Sequence, residues 1–423
     1  MLIVFDLSRW PWVTVLLLVL AFASYFRAAR LLEVESSAGG ILLVAAALRL
    51  FLLPLPPTLS DDTLRYIWDG RVVTAGFNPY LHAPEDEALA PLRDDLWARM
   101  PHQHVPTVYP PLALAFFTAA SWLPSPLVTV KILLAIVELF GCLLLIRLVR
   151  VLGLPAGRAV WYCWNPLPIL EIAGMGHVDA LVVTSQIAVV LWLVQKPRKV
   201  SQAALAAAAG VLGKLLPAIA VPMWARQSGR FLPFLAISGA VVALGLLPVF
   251  VSTDGVPPGL VKYGVSWEFN GPLYEPLWRL YESVQLDAQV KVALDHLKDW
   301  TGQHEILNRL YPKVYPQFLA KLTLLPLLAF FCLRSLWDRD PVTGSGRIFA
   351  GLLLCTATFY PWYLLLVLPW AALCRHRAWL PLSALLQLAY LPQLFDISLW
   401  PGIYLVIWGP FFFLLARSKW SID

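Results

Sequence analysis

Apolar runs separated by short basic connections make up most of this chain. They lie at about 11–30, 40–56, 127–147, 159–175, 178–195, 202–216, 217–225, 231–251, 314–336, 347–360, 362–374, 379–395 and 399–416. Several are shorter than the ~20 residues of a straight bilayer-crossing helix. The pairs 202–216/217–225 and 347–360/362–374 read as hairpins of short helices or as single broken elements, interrupted at Pro217 and Pro361. Two longer polar stretches, 57–126 and 252–313, punctuate the pattern. The pattern predicts an all-α polytopic membrane protein, a single integral membrane domain over 1–423, with about 11–13 transmembrane helices.

The basic residues give this arrangement a direction. Seven connections carry them: Arg27/Arg30, Arg147/Arg150/Arg158, Lys196/Arg198/Lys199, Arg226/Arg230, Arg334/Arg339/Arg347, Arg375/Arg377 and Arg417/Lys419. All seven fall in the cytoplasm if the run from Tyr109 to Phe117 lies along the outer surface instead of crossing. Thirteen crossings then place the N-terminus outside, the C-terminus inside, and both polar stretches outside. A site of action on the extracytoplasmic face of a cell (inner or plasma) membrane is therefore expected.

Composition agrees with this picture. The chain is 59% hydrophobic and 14% charged, with mean hydropathy +0.69, against about a quarter charged residues in soluble domains. The net charge of +6 is spread through short loops, which excludes a nucleic-acid-binding reading. Five cysteines sit inside apolar runs with no CxxC pair, so a disulfide framework or zinc cluster is not expected. The N-terminal MLIVFDLSRWPW lacks a basic n-region and a small-residue cleavage site, so the run that follows is expected to stay as a membrane helix. No repeat of 20–50 residues is present.

Charge concentrates at one place, Ser60-Asp61-Asp62-Thr63-Leu64-Arg65-Tyr66-Ile67-Trp68-Asp69-Gly70-Arg71, directly behind the second apolar run. Ser60 is expected to cap a surface helix running to about Ala75 and stopped by Gly76. Adjacent helical residues do not face each other. One of Asp61 and Asp62 is thus expected to catalyse while the other orients or binds. Arg65 is spaced to pair with Asp62 or Asp69. A structural reading makes these only surface ion pairs at a helix start.

Further polar groups stand at the ends of apolar runs. Glu171, His177 and Asp179 form one cluster, and ionisable residues at such depth are functional candidates. Lys214, inside AAGVLGKLLP, needs an anionic partner such as a lipid phosphate or an Asp. Tyr109 flanks the surface run, and Glu268 lies in an aromatic, polar loop suited to covering a ligand groove. His102 and His104, two apart, make a poor metal pair, and no metal or other cofactor is expected. A carboxylate and a buried lysine at a membrane surface suit group transfer from a lipid-linked phosphate, with a general base on the acceptor hydroxyl and fixed cations on the leaving phosphate.

The segments SDDTLRYIWDGRVVTAGFNPYLHAP, PTVYPPLALAFF, WNPLPILEIAGMGHVDAL and GVLGKLLP, in this order and spacing, resemble the GT-C superfamily of integral-membrane glycosyltransferases. They are most similar to bacterial polyprenyl-phosphate-mannose-dependent mannosyltransferases. The resemblance is close over about 40–225 and holds only in pattern beyond. It implies a GT-C-like helix bundle with outer juxtamembrane helices, and an acidic base in the first outer loop, at Asp61 or Asp62, with Asp61 favoured. It implies donor-phosphate contacts from Lys214 and a second acidic motif near the site, carried by His177 and Asp179. Arg65 is expected to join Lys214 on the donor phosphate, and His177, Asp179, Tyr109 and Glu268 to bind substrate. The implied reaction is an inverting transfer of a hexose, mannose in this family, from a polyprenyl-phosphate donor to a hydroxyl on a lipid or glycan acceptor. Rival readings are a transporter or flippase for a lipid-linked or anionic solute, a non-catalytic scaffold, and a ligase acting on lipid pyrophosphate-linked glycan. A transporter should offer polar residues to both faces, whereas here they gather on one.

Overall fold

The computed structural model describes residues 6–33 and 36–422. The start of the N-terminal segment weighed above as a signal peptide lies outside the described residues. The described chain is helical, with isolated bridges from Phe269 and Asn270 to Thr358 and no strand. Four helices are long and apolar enough to cross a bilayer: Pro11–Leu31, Pro126–Val151, Phe231–Ser252 and Pro316–Ser335. Shorter apolar helices, including Ala38–Leu52, Asp179–Val194, Val200–Gly213 and Pro341–Cys355, complete the bundle. Leu232, Leu244, Leu247, Leu322, Phe330 and Leu333 lie exposed on the long helices. Such apolar outer faces suit lipid chains, not water. This is an all-α membrane protein.

The run after Tyr109 forms a helix over Pro111–Ser121, 11 residues. At ~1.5 Å per residue it reaches about half of a ~30 Å hydrocarbon core. It packs instead on the Asp62–Thr74 helix, whose Tyr66 stacks on Phe117 with centroids 4.3 Å apart. Gly70 permits this approach, since a Cβ there would stand 2.4 Å from the Phe117 carbonyl oxygen.

The Asp62–Thr74 helix ends as the sequence suggests, with Gly76 at φ +84°. Its start differs. Asp61 is the N-cap and makes no side-chain cap bond. Ser60 Oγ accepts only a long contact from the Asp62 amide, 3.4 Å. Buried polar groups hold this helix start in place. Lys131 donates to the carbonyls of Leu53 at 2.8 Å and Leu55 at 2.5 Å, fixing the turn that leads into it. The Thr63 hydroxyl donates to the Met175 carbonyl. Deeper in the bundle, Arg49 forks onto Glu138 and also donates to the Ala45 and Cys163 carbonyls. A charge left alone there would be costly, and the pairing meets that cost.

Three helices break where these elements meet. The Val200–Gly213 helix stops at Lys214, which is extended (φ −162°, ψ 134°), and resumes at Leu216. The break therefore falls three residues before Pro217. The Pro341–Cys355 helix gives way to an extended stretch before Pro361–Leu366. The third break is the turn through Gly176, which has φ +80°. Irregular backbone within a membrane bundle is tolerated where it is buried in protein or lines a cavity. At Gly176 an added Cβ would also lie 3.0 Å from Lys131 Cγ and Thr63 Oγ1. Gly176→Ala should therefore cost about 1–3 kcal/mol of stability, read as a lower melting temperature of the purified protein; an unchanged melting curve would contradict this account of the turn.

Candidate active site

The three breaks border one cavity of about 660 Å³, within the ~300–1,000 Å³ of ligand sites. Both polar stretches contribute to it. Asp61, Asp62 and Tyr109 come from the first, and Tyr263, Trp267 and Phe269 from the second. Asp179 and Lys214 come from the helix breaks. One flank is apolar, built from Leu260, Leu324, Leu325 and Leu328. Leu324, Leu325 and Leu328 belong to the long Pro316–Ser335 helix, and Leu325 is exposed. The cavity thus joins a polar floor to a lipid-compatible wall.

Asp61 and Asp62 do point differently. Asp61 is exposed at the rim, and among the described residues its carboxylate has no hydrogen-bond partner. Asp62 turns inward, its Oδ2 3.7 Å from Nδ1 of fully buried His177. Burial pushes the Asp62 pKa up to about 6; Lys214 opposes the rise, and Asp179 and Asp61 add to it. The Asp61 carboxyl is also raised by burial, with Arg99 opposing. Behind His177 lies Glu171, its Oε2 3.4 Å from Nε2, and Tyr390 donates to Glu171 at 2.9 Å.

Lys214 finds its anionic partner in Asp179, Nζ to Oδ1 at 2.8 Å. Its ammonium also sits 4.4 Å from the centroid of the Tyr363 ring. Among the described residues the second Asp179 oxygen, which is buried, has no hydrogen-bond partner. Lys214 keeps part of its surface open to the cavity, 19% of the side chain.

An aromatic column backs the site. Phe269 stacks on Tyr360, Tyr360 on Trp362 and Trp362 on His177, with centroids 4.4, 4.6 and 3.7 Å apart. The Phe269 end is fixed by backbone bonds, Phe269 N to Ala357 O at 3.0 Å and Phe359 N to Phe269 O at 2.7 Å. Tyr263 and Tyr363 join by their hydroxyls.

Not every expected residue enters the cavity alike. Arg65 lines it, but its guanidinium is engaged by Asp69 at 2.8 Å and by the Val105 and His102 carbonyls at 2.7 and 3.3 Å. Asp69 in turn accepts from Thr107 at 2.6 Å. Tyr109 lines the cavity and packs edge-on to Tyr66. Glu268 does not line the cavity itself: it stands between Trp267 and Phe269, which do, and pairs at 2.9 Å with Lys321, which also lines it. Tyr390 and the segment Tyr360–Tyr363 were not singled out as site residues by sequence. The signal available for the latter was Tyr-Pro-Trp-Tyr at the break of an apolar run. Tyr390 lies inside an apolar run and carries no such mark.

A family model described as MptA/B family, alpha-(1->6)-mannopyranosyltransferase, N-terminal domain, matches residues 7–228, just over half of the chain. The matched part carries Asp61, Asp62, His177, Asp179 and Lys214. No curated protein and no solved structure matches the chain.

Proposed function

The chain belongs to the MptA/B family of alpha-(1->6)-mannopyranosyltransferases, and from this premise we propose that it moves mannose from a polyprenyl-phosphate donor to an acceptor hydroxyl at the extracytoplasmic membrane face. As a member of the family it is a membrane glycosyltransferase of the mannosyl type, and it needs a sugar donor and an acceptor. The observation that carries the finer reading is the single cavity joining inward Asp62, the Lys214 ammonium and an apolar flank.

Lys214 is the natural seat for the donor phosphate, because an ammonium there stabilises the charge that grows as phosphate leaves. The polyprenyl tail lies along Leu260, Leu324, Leu325 and Leu328. The unpartnered oxygen of Asp179 accepts a sugar hydroxyl. Asp62 takes the proton of the attacking hydroxyl as that oxygen bonds to the anomeric carbon from the face opposite the phosphate. One carboxylate suffices, since phosphate leaves without a proton. The step inverts the anomeric centre, so an alpha product requires a beta-linked donor. Asp62 is a better base than Asp61, which sequence favoured, because it is turned inward and within the field of Lys214. Asp61, at the rim, serves the acceptor. Arg65, committed to Asp69 and two carbonyls, anchors the outer loop more than it holds phosphate.

Full-length protein in lipid nanodiscs, given labelled polyprenyl-phosphate mannose and octyl α-mannoside, should form a labelled disaccharide. Labelled GDP-mannose should give none. Transfer from the nucleotide sugar alone would overturn the donor assignment. Because the base must be ionised, kcat/KM should rise with pH through an apparent pKa near 6, as Asp62 loses its proton. A profile flat from acid to neutral pH contradicts the assignment of Asp62.

A further inference from the structure

Asp62 is not the end of the polar chain that begins at the cavity. His177 lies fully buried between two carboxylates, Asp62 Oδ2 3.7 Å from Nδ1 and Glu171 Oε2 3.4 Å from Nε2. Trp362 stacks on its face at 3.7 Å with the planes 19° apart, which holds the plane of the ring. Among the described residues neither nitrogen has a hydrogen-bond partner. Glu171 is fully buried and holds its orientation through Tyr390, whose hydroxyl reaches both oxygens at 2.9 Å. The charged and titratable groups facing the imidazole are Asp62 on the outer helix, Glu171 on its own stretch, and the Asp179–Lys214 pair, with Tyr390 behind Glu171. Packing alone would be met by an apolar ring in this position. A fully buried carboxylate such as Glu171 is costly while ionised and gains by taking up a proton, and Asp62, part-exposed to the cavity, stands across the imidazole from it.

We propose that His177 and Glu171 are a proton store behind Asp62, which receives the proton that Asp62 removes from the acceptor. The inference rests on the reading of Asp62 as the base. As the acceptor oxygen bonds to the anomeric carbon, the carbon–phosphate-oxygen bond breaks and its electron pair leaves on the phosphate. Asp62 takes the hydroxyl proton. It passes that proton to the Nδ1 lone pair of His177, and Nε2–H is given to Glu171. Asp62 is again an anion, Glu171 is neutral, and no further reactant is needed. After product release the proton returns by the same path to Asp62 and to water. The gaps of 3.7 and 3.4 Å close when donor and acceptor fill the site, as catalytic hydrogen bonds tighten in the reacting complex. His177 and Glu171 are positioning residues here, acting through Asp62.

Single-turnover transfer, with polyprenyl-phosphate mannose and octyl α-mannoside, tests this in His177→Asn and Glu171→Gln. The Asn amide can still hold Asp62 but cannot relay a proton. The Gln can still accept from Tyr390 but cannot be protonated. Each should lower the transfer rate about 10²-fold with donor KM unchanged. In mixtures of H₂O and D₂O the wild-type rate should follow a curved dependence on deuterium content, from more than one proton in motion, and each variant a linear one. Wild-type rates in both variants, or slower rates with the curvature kept, would overturn the store. Asp62→Asn run alongside separates the two readings. If it transfers normally, the base assignment itself is lost; if it is inactive while both variants match wild type, only the store is lost.

Discussion

Asp62→Asn should fold, bind donor and transfer mannose about 10²–10⁴-fold more slowly, the usual worth of a general base. The amide is nearly isosteric with the carboxylate, and its neighbour His177 keeps its stacking on Trp362. What disappears is the inward carboxylate of the outer helix, placed in the field of Lys214 to take a proton from a hydroxyl. Asp61→Asn should be much milder and should act on acceptor KM more than on kcat, because Asp61 stands exposed at the rim. Steady-state transfer by the two variants, with donor binding measured separately, checks both statements. A dead Asp61→Asn beside an active Asp62→Asn would reverse the roles.

Lys214→Met should have two separable effects. Donor affinity falls, since the ammonium that faces the cavity is gone. Stability falls as well, because Asp179 is buried and would keep a charge with no partner; breaking a buried pair from one side typically costs about 3–5 kcal/mol. Adding Asp179→Asn should restore the melting temperature without restoring transfer. Thermal melts and donor titrations of the single and double variants read the two effects independently. Recovery of transfer in the double variant would mean that Lys214 serves only to neutralise Asp179. Donor affinity and transfer both at the wild-type level would contradict a phosphate-binding role.

Much of this was legible in the sequence because membranes make strong patterns. Runs of apolar residues announced the helices, and the run after Tyr109 forms a helix of 11 residues, shorter than a bilayer-crossing span. Gly76 marked a helix end correctly. Lys214 demanded an anion, and Asp179 supplies it from a different helix. Proline marked the first of the two predicted breaks but not its residue: the backbone turns at Lys214, before Pro217. The choice between Asp61 and Asp62 was beyond sequence. It depends on which carboxylate faces His177, and that is set by Thr63 bonding to Met175 and by Lys131 holding the preceding turn. Glu268 looked like a cavity residue because its loop is one; it does not line the cavity itself but pairs with Lys321, which does. The aromatic column could not be read from order along the chain, since Phe269 and His177 meet Tyr360 and Trp362 only after folding.

The most direct measurement is a structure of the protein in nanodiscs with a non-transferable polyprenyl-phosphate-mannose analogue. The phosphate should lie within hydrogen-bond reach of Lys214, the tail along Leu324 and Leu328, and the anomeric carbon should present its open face to Asp62. A phosphate bound away from Lys214, or an anomeric carbon whose open face is turned from Asp62, would contradict the central claim.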